Sequence, residues 1–300
     1  MPTPGIPRPG RRLKCKKSKS RSLPKSKPLL FKADKTKVSP HAGIYKNPRW
    51  YDIAFSFRDI QKECDFLAAC VKKYSGRKLS SVVEMAAGPA SHSIQFGQKG
   101  ITVYALDKSP DMLAYARRKA KERGSRVHFL KKDMRRFRLP QRVDLAISMM
   151  DSLTYLLTDD EILTHLKTVA ANLKTGGIFV LELLHPRDFF TEKVSFGPVW
   201  KVAQNGAKVI VNWGNFTDRE VDPLSQVVRM WADLVVEENG KKFHLRSVAP
   251  ERMLTLSELR LLIRLSGVFK IKALLGDLNF KQKLDNSRRS SQMVAVLQKI

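Results

Sequence analysis

From about residue 80 onward, short apolar runs alternate with stretches whose apolar positions return every third or fourth residue. "SSVVEM", "ITVYALD", "RVHFLKKD", "VDLAISMM" and "IFVLELL" read as strands, because a near-continuous apolar run suits a strand buried on both faces. "ASHSIQFGQKG", ending at Gly97 or Gly100, "SPDMLAYARRKAKERG" and "TDDEILTHLKTVAANLKTGG" read as the helices between them. The second carries Ser109 as N-cap, Pro110 in its first turn and Gly124 as C-cap; the third opens on acids and ends on glycines. Strand and helix in alternation predict an α/β fold with a parallel sheet covered on both faces.

The flanks follow other patterns. In "RWYDIAFSFRDIQKECDFLAACVKKY", Ile53, Phe57, Ile60, Cys64, Phe66, Leu67 and Cys70 fall at roughly helical spacing, which predicts one amphipathic helix or two short ones. After about residue 190 the rhythm breaks. "KVIVNWGNF" and "SQVVRMWADLVVEENGKKFHLRSVAPERML" read as strands joined by hairpins, with Asn239-Gly240 the clearest turn. "TLSELRLLIRLSGV" is a helix capped near Thr255 or Ser257, and "FKIKALLGD" and "QMVAVLQK" are two closing strands. The expected organisation is a tail over 1–45 and one domain over 46–300, in which 195–252 form a β-rich insert covering the site.

Charge changes this picture at one end. The 300 residues carry a net charge of +28 and 43% apolar residues, enough for a core. Residues 1–50 hold ten lysines and five arginines against one acid, Asp34, and eight of the fifteen prolines. Proline and mutual repulsion predict a disordered tail, which leaves three readings open: a solvated extension, a basic arm for RNA, DNA or an acidic partner, or an organelle transit peptide. Cys15, Cys64 and Cys70 form no CxxC pair and no Cys/His cluster, which argues against a zinc site or a disulfide framework. A reduced compartment follows, the cytoplasm or, if the tail is a transit peptide, an organelle matrix. The apolar runs are too short to span a bilayer.

The chemistry concentrates in "VVEMAAGPASHSIQF". Glu84 closes an apolar strand, and a small-residue turn at Gly88 would let a ligand approach the backbone at a helix start. Asp107 and Asp133 follow the next two strands, placing three acids at successive strand ends, where open parallel sheets bind ligands. A dinucleotide site would also use a glycine turn and an acid about twenty residues on. Yet Ala90 and Ser93 stand where its other glycines belong, and Glu84 would face a pyrophosphate. A cationic ligand with an amino group and a ribose suits these acids better.

Taken together, "VVEMAAGPASHS", "VYALDKSPDML", "LKKDM", "VDLAISMMDSLTYL" and "LKTGGIFVLELLHP" resemble the motifs of class I S-adenosylmethionine-dependent methyltransferases, over roughly residues 50 to 300. The resemblance implies a Rossmann-like, seven-stranded, mostly parallel sheet ending in a reversed hairpin, and S-adenosylmethionine as cofactor. It also implies site roles. Glu84 and the turn through Ala86, Gly88 and Ala90 would hold the methionine portion, and Asp107 both ribose hydroxyls. Asp133 and Met134 would flank the adenine, while Met149, Asp151 and Ser152 border the methyl group. Tyr51, Lys108 and Met112 complete the expected cofactor set. The family's turn usually has two or three glycines, and here only Gly88 remains.

Methyl transfer from a sulfonium needs mainly orientation and exclusion of water, and a base only where the nucleophile arrives protonated. The catalytic candidates are Asp151, Tyr155 and His185, with Trp200, Trp213, Trp231 and Arg252 contributed by the insert. A small-molecule acceptor is the leading expectation. The basic stretch 117–138 and the tail keep RNA or protein methylation, or an inactive scaffold in a ribonucleoprotein assembly, as alternatives, although no RNA-binding module is present.

Overall fold

The computed structural model describes residues 43–190, 199–214 and 222–300. The tail expected over 1–45 therefore lies almost wholly outside the described residues. Seven strands build the main sheet: β1 (Ser81–Met85), β2 (Thr102–Asp107), β3 (His128–Lys131), β4 (Val143–Ser148), β5 (Leu173–Leu184), β10 (Phe269–Leu275) and β11 (Gln292–Lys299). Their order is β10-β11-β5-β4-β1-β2-β3. β1 to β5 run parallel, and β11 is antiparallel to β5 and to β10. The predicted reversed hairpin is present.

Helices cover both faces, as buried parallel strands require. α2 (Ile60–Ser75) and α3 (Ser91–Gln98) set Leu67, Cys70 and Phe96 against Val82, Leu145 and Val180. On the other face, α5 (Asp159–Asn172) and α7 (Leu256–Ser266) set Leu166, Val169 and Leu259 against Val83, Ala146 and Phe179. α4 (Pro110–Glu122) starts as its sequence demands: Pro110 opens it, and the Ser109 hydroxyl accepts from the Met112 amide. Thr255 and Glu258 form a capping box on α7.

Some element ends differ from the sequence expectation. The leading segment is two helices, the second of the two expected arrangements, α1 (Pro48–Ala54) and α2, of which α2 is long and capped by Asp59. α4 has Arg123 as its C-cap, one residue before Gly124. α5 does not end on glycines: β5 begins at Leu173, directly after it, and carries Gly176 and Gly177 within it. A Cβ on Gly177 would lie 2.8 Å from the Lys174 carbonyl, so this kinked strand start has no room for a side chain. A short helix, α6 (Arg187–Phe190), follows β5.

The insert is an antiparallel sheet in the order β6-β7-β8-β9, from β6 (Val199–Gln204), β7 (Ala207–Trp213), β8 (Val227–Glu238) and β9 (Lys241–Arg252). Asn239-Gly240 turns β8 into β9, as expected. One face of this sheet buries Val209, Val211 and Leu234 against Trp50 and Ile53 of α1. The insert thereby brings the leading helix to the C-terminal edge of the main sheet. No described helix is long and apolar enough to cross a membrane.

Candidate active site

Strand order reverses beside β1, and two cavities open there, as expected for an open α/β sheet. They measure about 560 and 1340 Å³ and share Tyr51, Phe55, Arg58, Ala86, Gly88 and Met150 in their walls.

The turn after β1 is tight without being glycine-rich. Ala86 and Ala90 adopt the left-handed region at φ 50° and 56°, flanking Gly88 at 52°. An alanine there costs about 1–2 kcal/mol. Ala86 is exposed toward the cavity, so its methyl offers little packing in return. Ala86→Gly is expected to stabilise the fold by roughly 0.5–1 kcal/mol, the strain relieved less the added freedom of the unfolded glycine. A lower urea midpoint for that variant would show the strain to be absent.

Glu84 stands one residue before the end of β1. It lies inside β1, buried, and accepts from the Ser93 amide (2.9 Å), the Ser93 hydroxyl (2.6 Å) and His92 Nδ1 (3.1 Å). Glu84 thus anchors the first turn of α3 while also bordering the smaller cavity. His92 continues to Glu63 (2.7 Å), Glu63 to Arg58 (2.8 Å), and Arg58 to Glu182 on β5 (2.9 Å). Burial alone would lower the His92 pKa, but the bonds to Glu63 and Glu84 outweigh it and raise the value to about 9. The folded value exceeds the unfolded one near 6.5, so this imidazolium stabilises fully below about pH 6.5. That stability is lost as pH rises through about 9. Urea unfolding of wild type should show this decline, and H92Q should flatten it; parallel curves would exclude the buried imidazolium.

The cradle around Gly88 fits an adenosyl ligand. A Cβ on Gly88 would project between Tyr51 and Met112, 4.0 Å from each, into space open for a ligand. Asp107 ends β2, accepting from the Gly88 amide (2.7 Å) and the Ser109 amide (2.8 Å). Burial raises its pKa, against the pull of those amides. Two oxygens fixed at the cavity wall suit the vicinal hydroxyls of a ribose. Met112 and Met134 add apolar surface, and His165 holds Met134 by donating from Nδ1 to its carbonyl (2.8 Å). Lys108 also lines the larger cavity, and Met149 the smaller.

The opposite end of the cavity is acidic and aromatic. After β4, Met150 and Asp151 take consecutive left-handed conformations, φ 52° and 57°. Glu182 holds this turn: its carboxylate accepts from the Met150 amide (3.1 Å) and its carbonyl from the Asp151 amide (3.1 Å). The Asp151 carboxylate accepts from the Leu184 amide. Burial raises the Asp151 pKa well above the usual range, with Glu182 and Glu251 adding to the rise. A 3-10 turn, Ser152–Tyr155, then sets Tyr155 against Tyr45, their hydroxyls in close contact. Glu251 of β9 accepts from the Thr154 hydroxyl (3.2 Å). Tyr51, Phe55, Trp200 and Trp213 wall this end, with Phe55 centred 5.4 Å from both tryptophans.

The structure thus brings together Tyr51, Ala86, Gly88, Asp107, Lys108, Met112, Met134, Asp151 and Tyr155 around the larger cavity, with Glu84 and Met149 in the smaller one. Other expected site residues stand apart. Ala90 is the buried N-cap of α3. The Asp133 carboxylate lies beyond β3, held well below the usual range by Arg135 and then Lys108. The three acids are therefore not in register, and only Asp107 ends its strand. His185 donates from Nε2 to the Asp285 carbonyl (2.9 Å) and accepts from the Arg187 amide (3.1 Å), which ties two loops together outside the cavity. Trp231 lies under Arg246, and Arg252 is paired with Asp159. Sequence reasoning missed Tyr45, Arg58, Glu63, Glu182 and Glu251. The one available signal was charge inside apolar patterns, such as Arg58 in "AFSFRDI" and Glu182 in "VLELL".

A family model described as a methyltransferase domain matches residues 82–177. The dTDP-3-amino-3,4,6-trideoxy-alpha-D-glucopyranose N,N-dimethyltransferase of Streptomyces venezuelae is 30% identical over 176 residues, 57% of this chain and 72% of that one. Among solved structures, an S-adenosylmethionine-dependent methyltransferase from Clostridium acetobutylicum superposes with a TM-score of 0.68 at 17% identity, over 85% of this chain and 98% of the other. Streptomyces venezuelae DesVI follows at 0.67 and 22%, over 84% and 97%. With the sheet order, the Gly88 cradle and Asp107 in place, the chain belongs to the class I S-adenosylmethionine-dependent methyltransferases.

Proposed function

We propose that the acceptor is an amine on a small polar molecule of the amino-sugar type. The observation that carries this reading is a pair of acids, the buried Glu251 and the half-buried Asp151, among Tyr45, Tyr51 and Tyr155 at the end of the cavity away from Asp107. In a chain of net charge +28, two acids set together at this end of the cavity favour a cationic group on the guest. An amino-sugar acceptor also matches the activity in the name of the Streptomyces venezuelae relative.

S-adenosylmethionine supplies the electrophilic methyl group. On this reading Asp107 would hold the ribose, Met112 and Met134 would pack the adenine, and the Gly88 turn would accept the methionine portion against the backbone. Tyr51, Phe55 and Trp213 exclude water from the line of transfer, and the fixed orientation of two reactants supplies most of the acceleration. Tyr155 cannot serve as a phenolate, since burial lifts its pKa far above neutrality. Among the described residues, no group at this end of the cavity is basic enough to activate an aliphatic hydroxyl, whereas an ammonium needs only a carboxylate.

The alternatives rest on surface charge, and part of the charge within 117–138 is engaged inside the fold: Lys119 is paired with Asp52, and Arg135 with Asp133 and Glu161. The test is to incubate the full chain with S-adenosylmethionine and the 3-amino sugar nucleotide of that relative, its 3-hydroxy analogue, or total RNA. One or two methyl mass increments on the amine alone are expected; label on RNA alone would overturn the reading.

A further inference from the structure

We propose that Glu251 is the proton acceptor of the methyl-transfer reaction, with Tyr155 and Tyr45 as positioning residues; this rests on the amine acceptor argued above. An amine reaches the cavity as an ammonium and has no lone pair for attack until it loses a proton. That N–H bond must break with its electron pair left on nitrogen, and the proton must go to a base at the cavity wall. The freed pair would then form the N–C bond to the methyl group as the methyl–sulfur bond breaks, its electron pair leaving with sulfur as a neutral thioether.

Three elements far apart in sequence converge on this carboxylate. Tyr45 comes from the 3-10 turn Ile44–Lys46, Thr154 and Tyr155 from the turn after β4, and Glu251 from the last β9 residues. Glu251 is 4% exposed yet lines the larger cavity. Its carboxylate accepts from the Thr154 hydroxyl, Tyr155 follows Thr154 in the same turn, and the Tyr155 and Tyr45 hydroxyls are in contact, so the carboxylate and both phenols form one cluster. The titratable groups facing it are Tyr155, Tyr45, Tyr51 of α1 and Asp151. Burial pushes the Glu251 pKa up to about 7, against the bonds from Thr154 and Tyr155, which poises it for proton transfer near neutrality. Asp151 is less suited, because its carboxylate is engaged with the Leu184 amide and serves the turn.

The test compares wild type, E251Q, E251D and Y155F. With the 3-amino sugar nucleotide, wild-type kcat/KM should rise with pH through one ionisation near 7. E251Q should lose that ionisation and about 10²-fold or more in kcat. E251D should restore the ionisation, and Y155F should keep it at a lower kcat. Calorimetric titration with S-adenosylmethionine checks folding, since all variants should bind it as wild type does. An unchanged pH profile in E251Q that binds the cofactor would overturn the assignment. A second readout needs no acceptor: infrared difference spectra should show a protonated carboxyl titrating near neutrality in wild type and missing in E251Q. If that band is present and the amine is not methylated, the acceptor reading falls and the base role falls with it, leaving a Glu251 carboxyl that titrates near neutrality. Without a Glu251-dependent band, the assignment falls.

Discussion

Replacing Arg58 with alanine is expected to lower the unfolding free energy by about 3–5 kcal/mol, the range for removing one member of a buried charge pair. Its side chain is 10% exposed and lies between Glu63, at 13%, and Glu182, at 3%. Glu182 also accepts from Gln292 (2.6 Å) and from the Met150 amide, so the guanidinium joins α2, β5, β11 and the turn carrying Asp151. Without Arg58, the low-dielectric interior would hold Glu182 with no cation and Glu63 with only His92. Each acid would have to take up a proton or admit water. Adding E182Q to R58A should therefore recover part of the loss, because it removes one stranded charge. Urea midpoints measure both effects. A loss below about 1 kcal/mol would mean that solvent already reaches these acids.

Asp107→Ala should weaken S-adenosylmethionine binding by about 1–3 kcal/mol, roughly 5–150-fold in Kd, the cost of leaving ribose hydroxyls unpaired in a closed site. Asp107 also fixes the Gly88 amide, so the variant loosens the cradle as well as removing the acceptor oxygens. Asp107→Asn separates the two effects, since one amide oxygen can still receive the Gly88 amide. Calorimetry should rank wild type above asparagine and asparagine above alanine. Equal affinity in all three would exclude the ribose assignment.

The sheet was readable because it follows from local pattern. The runs around Val82, Val103, Leu145 and Val180 are apolar on consecutive residues, which only a strand covered on both faces can bury. Ser109-Pro110 and Thr255 with Glu258 mark helix starts through bonds within one turn. Asp107 was legible for the same reason, as an acid closing an apolar run beside a small-residue turn.

By itself, then, the sequence determined the strand and helix alternation, the reversed closing hairpin and the place of Asp107 at a strand end, all of which depend on neighbours in the chain. The tertiary structure alone decided what an isolated acid or histidine does. Glu84 and His185 became anchors because partners at Ser93 and Asp285 use their hydrogen-bonding atoms. The strain at Ala86, Met150 and Asp151 is a backbone property that no residue identity announces. Glu251 carries no local signal: it reaches the cavity because the insert sheet folds α1 and its leading turn against the main sheet, 97 residues in sequence from the Thr154 hydroxyl it meets. Contacts of that separation are set by packing between elements, and local patterning does not encode them.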